Sequence, residues 1–157
     1  MPEDDRGVTR DLHRKLGVDL FNHVWELLEK PGRTKEEDER MVHAAHASRY
    51  HWIHAGEAAN HATGEWQIAR VYSVLGRAEP ALHHARRCLE ILEEAGIRGF
   101  HRASACEGLA KAHSVAGHVE ECLRYIELAK AESESITDEE DRKVLFDQLR
   151  EIPEYRD

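Results

Sequence analysis

Residues 63–92 read TGEWQIARVYSVLGRAEPALHHARRCLEIL, and residues 104–133, 41 positions later, read SACEGLAKAHSVAGHVEECLRYIELAKAES. In this register most small residues align with small ones, most large apolar residues align with large ones, and Gly76 aligns with Gly117. The matched pairs include Ile68/Leu109, Ala69/Ala110, Tyr72/His113, Ala81/Cys122, Leu82/Leu123, Ala85/Ile126 and Cys88/Ala129. Within each copy the apolar residues recur at helical spacing on both sides of the glycine. The pattern predicts a duplicated helix-turn-helix unit.

The rest of the chain also has the features of helices. Leu12, Leu16, Leu20, Val24 and Leu28 recur every four residues before Pro31-Gly32. Thr34-Lys35-Glu36-Glu37 and Thr137-Asp138-Glu139-Glu140 each match a capping box, which predicts helix starts at both threonines. We expect an all-α chain of about seven helices in antiparallel hairpins. The predicted helices span 9–30, 34–55, 62–75, 79–95, 100–116, 119–134 and 137–152.

The composition limits the classes of function. The 157 residues carry a formal charge of −9, and aromatic residues make up 6%. An acidic chain lacks the basic patch that binding to nucleic acid or to an anionic membrane requires. Cys88, Cys106 and Cys122 form no C-x-x-C pair and stand at small apolar helix positions, so we expect packed, reduced thiols. With no apolar stretch after the acidic residues 1–5, the sequence predicts a cytoplasmic protein.

The first copy of the repeat resembles a known family. Trp66 through Tyr72, then Gly76, then Ala81 and Ala85, resemble a tetratricopeptide repeat, with Ile68-Ala69 in place of the family's Leu-Gly. The resemblance covers residues 62–95 well and 103–134 more loosely. The period of 41 is longer than the family's ~34, Trp66 lies one place late, and the closing proline is absent. An ordinary helical bundle with accidental self-similarity is the alternative.

The resemblance implies one domain over residues 1–157, with a divergent helix pair at 9–56, two repeats and a solubilising last helix at 137–152. It also implies a concave groove lined by the first helix of each unit. In that groove we expect a protein or peptide partner, acidic or with a free carboxylate, at Trp66, Arg70, Ser73, Glu107 and Lys111. The alternative is that Trp66 is a core residue and that Arg70 pairs with Glu65 or Glu107.

Histidine is unusually frequent, with twelve in the chain and five between His43 and His61. One face of the second helix carries histidines. The opposite face has small residues around two bulky ones, which predicts a packing surface; it consists of Met41, Ala44, Ala45, Ser48, Trp52 and Ala55. Glu39-x3-His43-x2-His46, with His54 nearby, has the spacing to hold zinc or another divalent metal, which is a second hypothesis for function. The alternative is an exposed histidine face without metal. No cofactor other than such a metal is expected. A third hypothesis is pH sensing, in which histidine protonation loosens helix packing.

Overall fold

The computed structural model describes residues 6–157, and that part of the chain forms seven α-helices and no strand. The helices are α1 (Arg10–Glu29), α2 (Lys35–Ile53), α3 (Ala58–Val74), α4 (Ala78–Ala95), α5 (Phe100–Ala116), α6 (Val119–Ser133) and α7 (Glu139–Arg150). The predicted all-α class is therefore confirmed. Residues 1–5, which enter the prediction of a cytoplasmic protein, lie outside the described residues. No described helix is long and apolar enough to cross a membrane.

The helices pair as three antiparallel hairpins, α1–α2, α3–α4 and α5–α6, and α7 follows the third. Each odd-numbered helix also contacts the next odd-numbered one, so α1, α3, α5 and α7 lie in succession on one side of the molecule. We call this side the groove face. The even-numbered helices α2, α4 and α6 form the other layer.

The helix ends follow local signals, with one exception. The Thr34 hydroxyl accepts from the Glu37 amide, and the Glu37 carboxylate accepts from the Thr34 amide, so the first predicted capping box is confirmed. The second is wrong. The N-cap of α7 is Asp138, whose carboxylate accepts from the Asp141 amide at 3.0 Å. Asp caps a helix at least as well as Thr, so the helix begins one residue after the predicted position and Glu140 is no longer the third helical residue.

The helix α3 begins earlier than predicted. It starts at Ala58 rather than Ala62, because the Glu57 amide donates to the Asn60 side chain and closes the first turn. The turns inside the two repeat units match each other, since Gly76 and Gly117 both have left-handed backbone angles, with φ of 73° and 79°. Only glycine adopts this conformation without strain, which is why both copies keep it.

The last helix is more than a solubilising cap. Leu145 and Leu149 of α7, and Ile152 just after it, are fully buried against α5 and α6. The three cysteines are free and buried, as predicted, and burial raises the pKa of the Cys106 thiol to about 11. The predicted packing face of α2 is also confirmed by the burial of Met41, Ala44, Ala45, Ser48, Trp52 and Ala55.

Candidate binding groove

A cavity of about 210 Å³ opens on the groove face, between α1, α3, α5 and α7. Its walls are mainly aromatic and aliphatic side chains, and α4 contributes two residues. The lining residues are Phe21, Trp25, Ala62, Thr63, Trp66, Cys88, Leu92, Phe100, His101, Ser104, Val144 and Gln148. Cavities of this apolar type, with a few polar groups, are where proteins bind ligands or anchor side chains of a partner.

Two tryptophans form one wall of the cavity. The rings of Trp25 and Trp66 lie 5.8 Å apart between centroids, and Trp66 is only 8% exposed. Gly108 of α5 permits this packing, because a Cβ atom there would lie 3.1 Å from the Trp66 ring. Trp66 is therefore both a core residue and a cavity wall, so the two interpretations made from the sequence are compatible.

Two polar side chains in the cavity wall have buried atoms without a hydrogen-bond partner, namely Ser104 Oγ and Gln148 Oε1. A buried polar atom that makes no hydrogen bond is costly, by about 1–3 kcal/mol. These two atoms are buried within the walls, so the surface that the cavity offers to a ligand is mainly apolar.

One cation, Arg70, lies against the two tryptophans, and a second, Lys111, shares its acceptor. Arg70 Cζ is 5.3 Å from the Trp25 ring centroid and 5.7 Å from that of Trp66. Arg70 Nη2 and Lys111 Nζ both donate to Glu151 Oε2, at 2.7 Å and 2.9 Å. The two cations, 10% and 16% exposed, belong to equivalent positions of the repeat, and they converge on one carboxylate of the C-terminal region.

Glu107 lies beneath this surface. It is 1% exposed, and its Oε1 accepts from Trp66 Nε1 at 3.2 Å, while Oε2 has no partner. Burial raises the pKa of the Glu107 carboxyl, although Arg70 and Lys111 lower it. Ser73 is buried as well, so Glu107 and Ser73, which were predicted in the groove, lie below its surface. Both residues lie in the packing between helices. Sequence periodicity shows which face of a helix a residue is on, but not whether it lies at the groove surface or is covered by neighbouring side chains.

Arg70 forms its ion pair with Glu151, whereas the alternative interpretation predicted Glu65 or Glu107 as its partner. Glu65 instead lies 3.6 Å from Arg49 Nε and 3.3 Å from His84 Nδ1, between α2, α3 and α4. Burial raises the pKa of Glu65, but the His84 and Arg49 side chains outweigh it, so the net shift is downward.

The predicted metal ligands have other neighbours. His46 Nε2 is 2.8 Å from the Tyr72 hydroxyl, whereas the His54 ring stacks on His13 at 4.4 Å. Glu39 and His43 are exposed on the surface of α2. Over residues 6–157 no group of three or more His, Cys, Asp or Glu side chains has the arrangement to hold a metal ion. The structure gives the predicted zinc site no support.

The groove residues that sequence reasoning missed include Phe21, Trp25, Gln148 and Glu151. Phe21 and Trp25 widen the apolar stripe of α1, and their aromatic character was the available signal. Gln148 and Glu151 gave no signal, since Glu151 is 81 positions from Arg70 and only the fold brings them together.

No protein-family model matches the chain, and neither the curated proteins nor the solved structures gave a match.

Proposed function

We propose that this chain is a tetratricopeptide-like repeat domain. The proposal is supported by contacts between positions that are equivalent in the two copies. Trp66 and Glu107, 41 residues apart, are hydrogen-bonded, and Arg70 and Lys111, also 41 apart, share one carboxylate. Regular stacking of equal units brings equivalent positions of neighbouring copies together in this way.

We propose further that the groove face binds an acidic, amphipathic segment of a protein partner. One observation carries this proposal: two largely buried cations lie next to an apolar cavity on the same face. A partner would place a bulky apolar side chain between Trp25 and Phe100, and a carboxylate on Arg70 and Lys111. Arginine pairs strongly with carboxylates, and aromatic-lined pockets are where interface energy concentrates.

The chain's own α7 supports the chemical character of the partner. Val144 and Gln148 line the cavity while Glu151 binds both cations, so three side chains spaced by four and three residues face the groove. This spacing is one face of a helix. A partner helix with an apolar residue and a carboxylate at similar spacing has the same complementarity.

A peptide-display selection on the folded chain tests the proposal. We expect the selected sequences to combine acidic residues with a large apolar residue. Their affinity, measured by fluorescence anisotropy, should fall about fivefold or more in Lys111→Ala, which removes one charge-assisted hydrogen bond. Lys143→Ala is the matched control, since Lys143 is exposed on α7 and pairs with Asp147.

The cavity is tested separately by Ser104→Leu, which fills part of its volume. Ala131→Leu, at an exposed position of α6, adds the same side chain elsewhere. We expect only Ser104→Leu to abolish binding, with both variants folded by circular dichroism. Selected peptides that bind Lys111→Ala and Ser104→Leu as well as wild type would refute the groove as the binding site.

A further inference from the structure

The two cations of the groove are already occupied by a residue of this chain. Arg70 and Lys111 donate to the same oxygen of Glu151, and the acceptor is far more exposed than the donors, at 48%. The two cations are largely buried in the groove, whereas the carboxylate lies at its rim. Water therefore solvates Glu151 where it stands better than it solvates either cation.

The helix α7, which ends directly before Glu151, is also held by contacts other than this one. Leu149 and Ile152, on either side of Glu151, are buried in the core formed with α5 and α6. Glu154 adds a second anchor, because its carboxylate accepts from the Ser114 hydroxyl at 2.7 Å. The Glu151 side chain can leave the cations while α7 keeps its place.

Arg70 also has unused donors. Its Nε and Nη1 atoms are buried without a hydrogen-bond partner, so Glu151 engages one of its nitrogens only. A guanidinium binds a carboxylate best through two parallel hydrogen bonds. The single hydrogen bond to Glu151 therefore gives Arg70 less than the pairing that a guanidinium prefers.

We propose that Glu151 is an internal competitor of the ligand: it holds the carboxylate position of the groove until an external carboxylate, attached to an apolar group that enters the cavity, replaces it on Arg70 and Lys111. The inference rests on the proposed function and adds to it the ligand's two-part chemistry and the residue that sets its affinity. It makes Glu151 a determinant of specificity, since a ligand without a carboxylate cannot take its place.

Two small probes separate the parts of this chemistry. 3-Phenylpropionate carries one ring and one carboxylate, and 3-phenylpropionamide has the same shape without the charge. Titration calorimetry compares wild type, Glu151→Gln and Asp147→Asn. The last variant is the matched control, because it removes one negative charge from the exposed side of α7.

We expect 3-phenylpropionate to bind Glu151→Gln about fivefold more tightly than wild type or Asp147→Asn, which is the effect of removing a partly exposed ion pair as competitor. The amide should bind all three proteins equally and more weakly. Equal affinity of 3-phenylpropionate for wild type and Glu151→Gln, or no binding to either, would overturn the inference.

This result is independent of the peptide selection. If selected peptides need Lys111 and the cavity but gain nothing from Glu151→Gln, the proposed function stands and the competitor does not. If no peptide depends on Lys111 or the cavity, the proposed function itself fails.

Discussion

The hydrogen bond between Trp66 and Glu107 is the interaction that most specifically joins the two repeat copies. Both residues are buried, the bond is 3.2 Å long, and the second Glu107 oxygen has no partner. In Trp66→Phe the Glu107 Oε1 atom loses its only hydrogen bond, and in Glu107→Met the indole N–H of Trp66 loses its acceptor. Each single substitution should therefore cost about 1–3 kcal/mol for the unsatisfied group, apart from any change in packing.

The double variant has neither the donor nor the acceptor. We expect its free energy of unfolding to lie about 2 kcal/mol above the value that adding the two single losses predicts, because neither group is left unsatisfied. Urea unfolding followed by circular dichroism measures all four proteins. In thermal unfolding the same coupling corresponds to about 4–8 °C for a chain of this size.

A matched control uses the tryptophan of α2. Trp52 packs against Gly17 and Gly56, away from Glu107, so Trp52→Phe and Glu107→Met should be additive. Additivity within about 0.5 kcal/mol for Trp66→Phe and Glu107→Met as well would refute the reasoning, since residues without interaction behave in that way.

Three further predictions concern stability. Thr34→Ala should cost about 1 kcal/mol in urea unfolding, whereas Thr137→Ala should cost close to nothing, because only the first threonine caps a helix. Leu149→Ala should cost about 2–5 kcal/mol by the same measurement, since it leaves a cavity under α7. Wild-type stability should fall as the pH drops below about 6.5, because burial lowers the pKa values of His46 and His113. Unfolding midpoints between pH 7 and pH 5 measure this loss.

The sign of the pH effect follows from linkage. Below the ordinary histidine pKa of 6.5 the unfolded chain binds protons that the folded chain resists, so folding becomes less favourable. Glu107 has the opposite effect on stability. Burial raises the pKa of its carboxyl, so acidification neutralises a buried anion and favours the folded chain. A His113→Phe variant isolates the histidine, and its pH slope should be smaller than that of wild type. An unchanged pH slope in His113→Phe would contradict the role given to this histidine. Equal losses of stability in Thr34→Ala and Thr137→Ala would contradict the assignment of the helix caps. A loss below about 1 kcal/mol in Leu149→Ala would contradict the role of Leu149 in the core.

The fold was predictable because its signals are local. Apolar residues at helical spacing, the Thr34 capping box and the glycines at 76 and 117 each act within a few residues, and all are visible in the sequence. The failed prediction at Thr137 has the same local origin. Thr137 and Asp138 are adjacent capping residues, and periodicity alone does not decide which of them begins the helix.

The groove was predictable only in part. The register of 41 residues places Arg70 beside Lys111, and the structure has both on one carboxylate. The sequence could not show how deeply each side chain is buried, or which residues far away in the chain it contacts. Glu107 and Lys111 lie one helical turn apart on α5, yet one is buried and the other reaches the rim. The position of Glu151 depends on how α7 packs against α5, which no local pattern encodes.

The most direct test of the central claim is to observe the tryptophan indole N–H signals by nuclear magnetic resonance while a selected acidic peptide is titrated. We expect the signals of Trp25 and Trp66, which line the cavity, to shift with the peptide concentration. The signal of Trp52, which packs between α1 and α2, should shift less. A bound peptide that leaves the signals of Trp25 and Trp66 unchanged would contradict the claim that the groove face is the binding site.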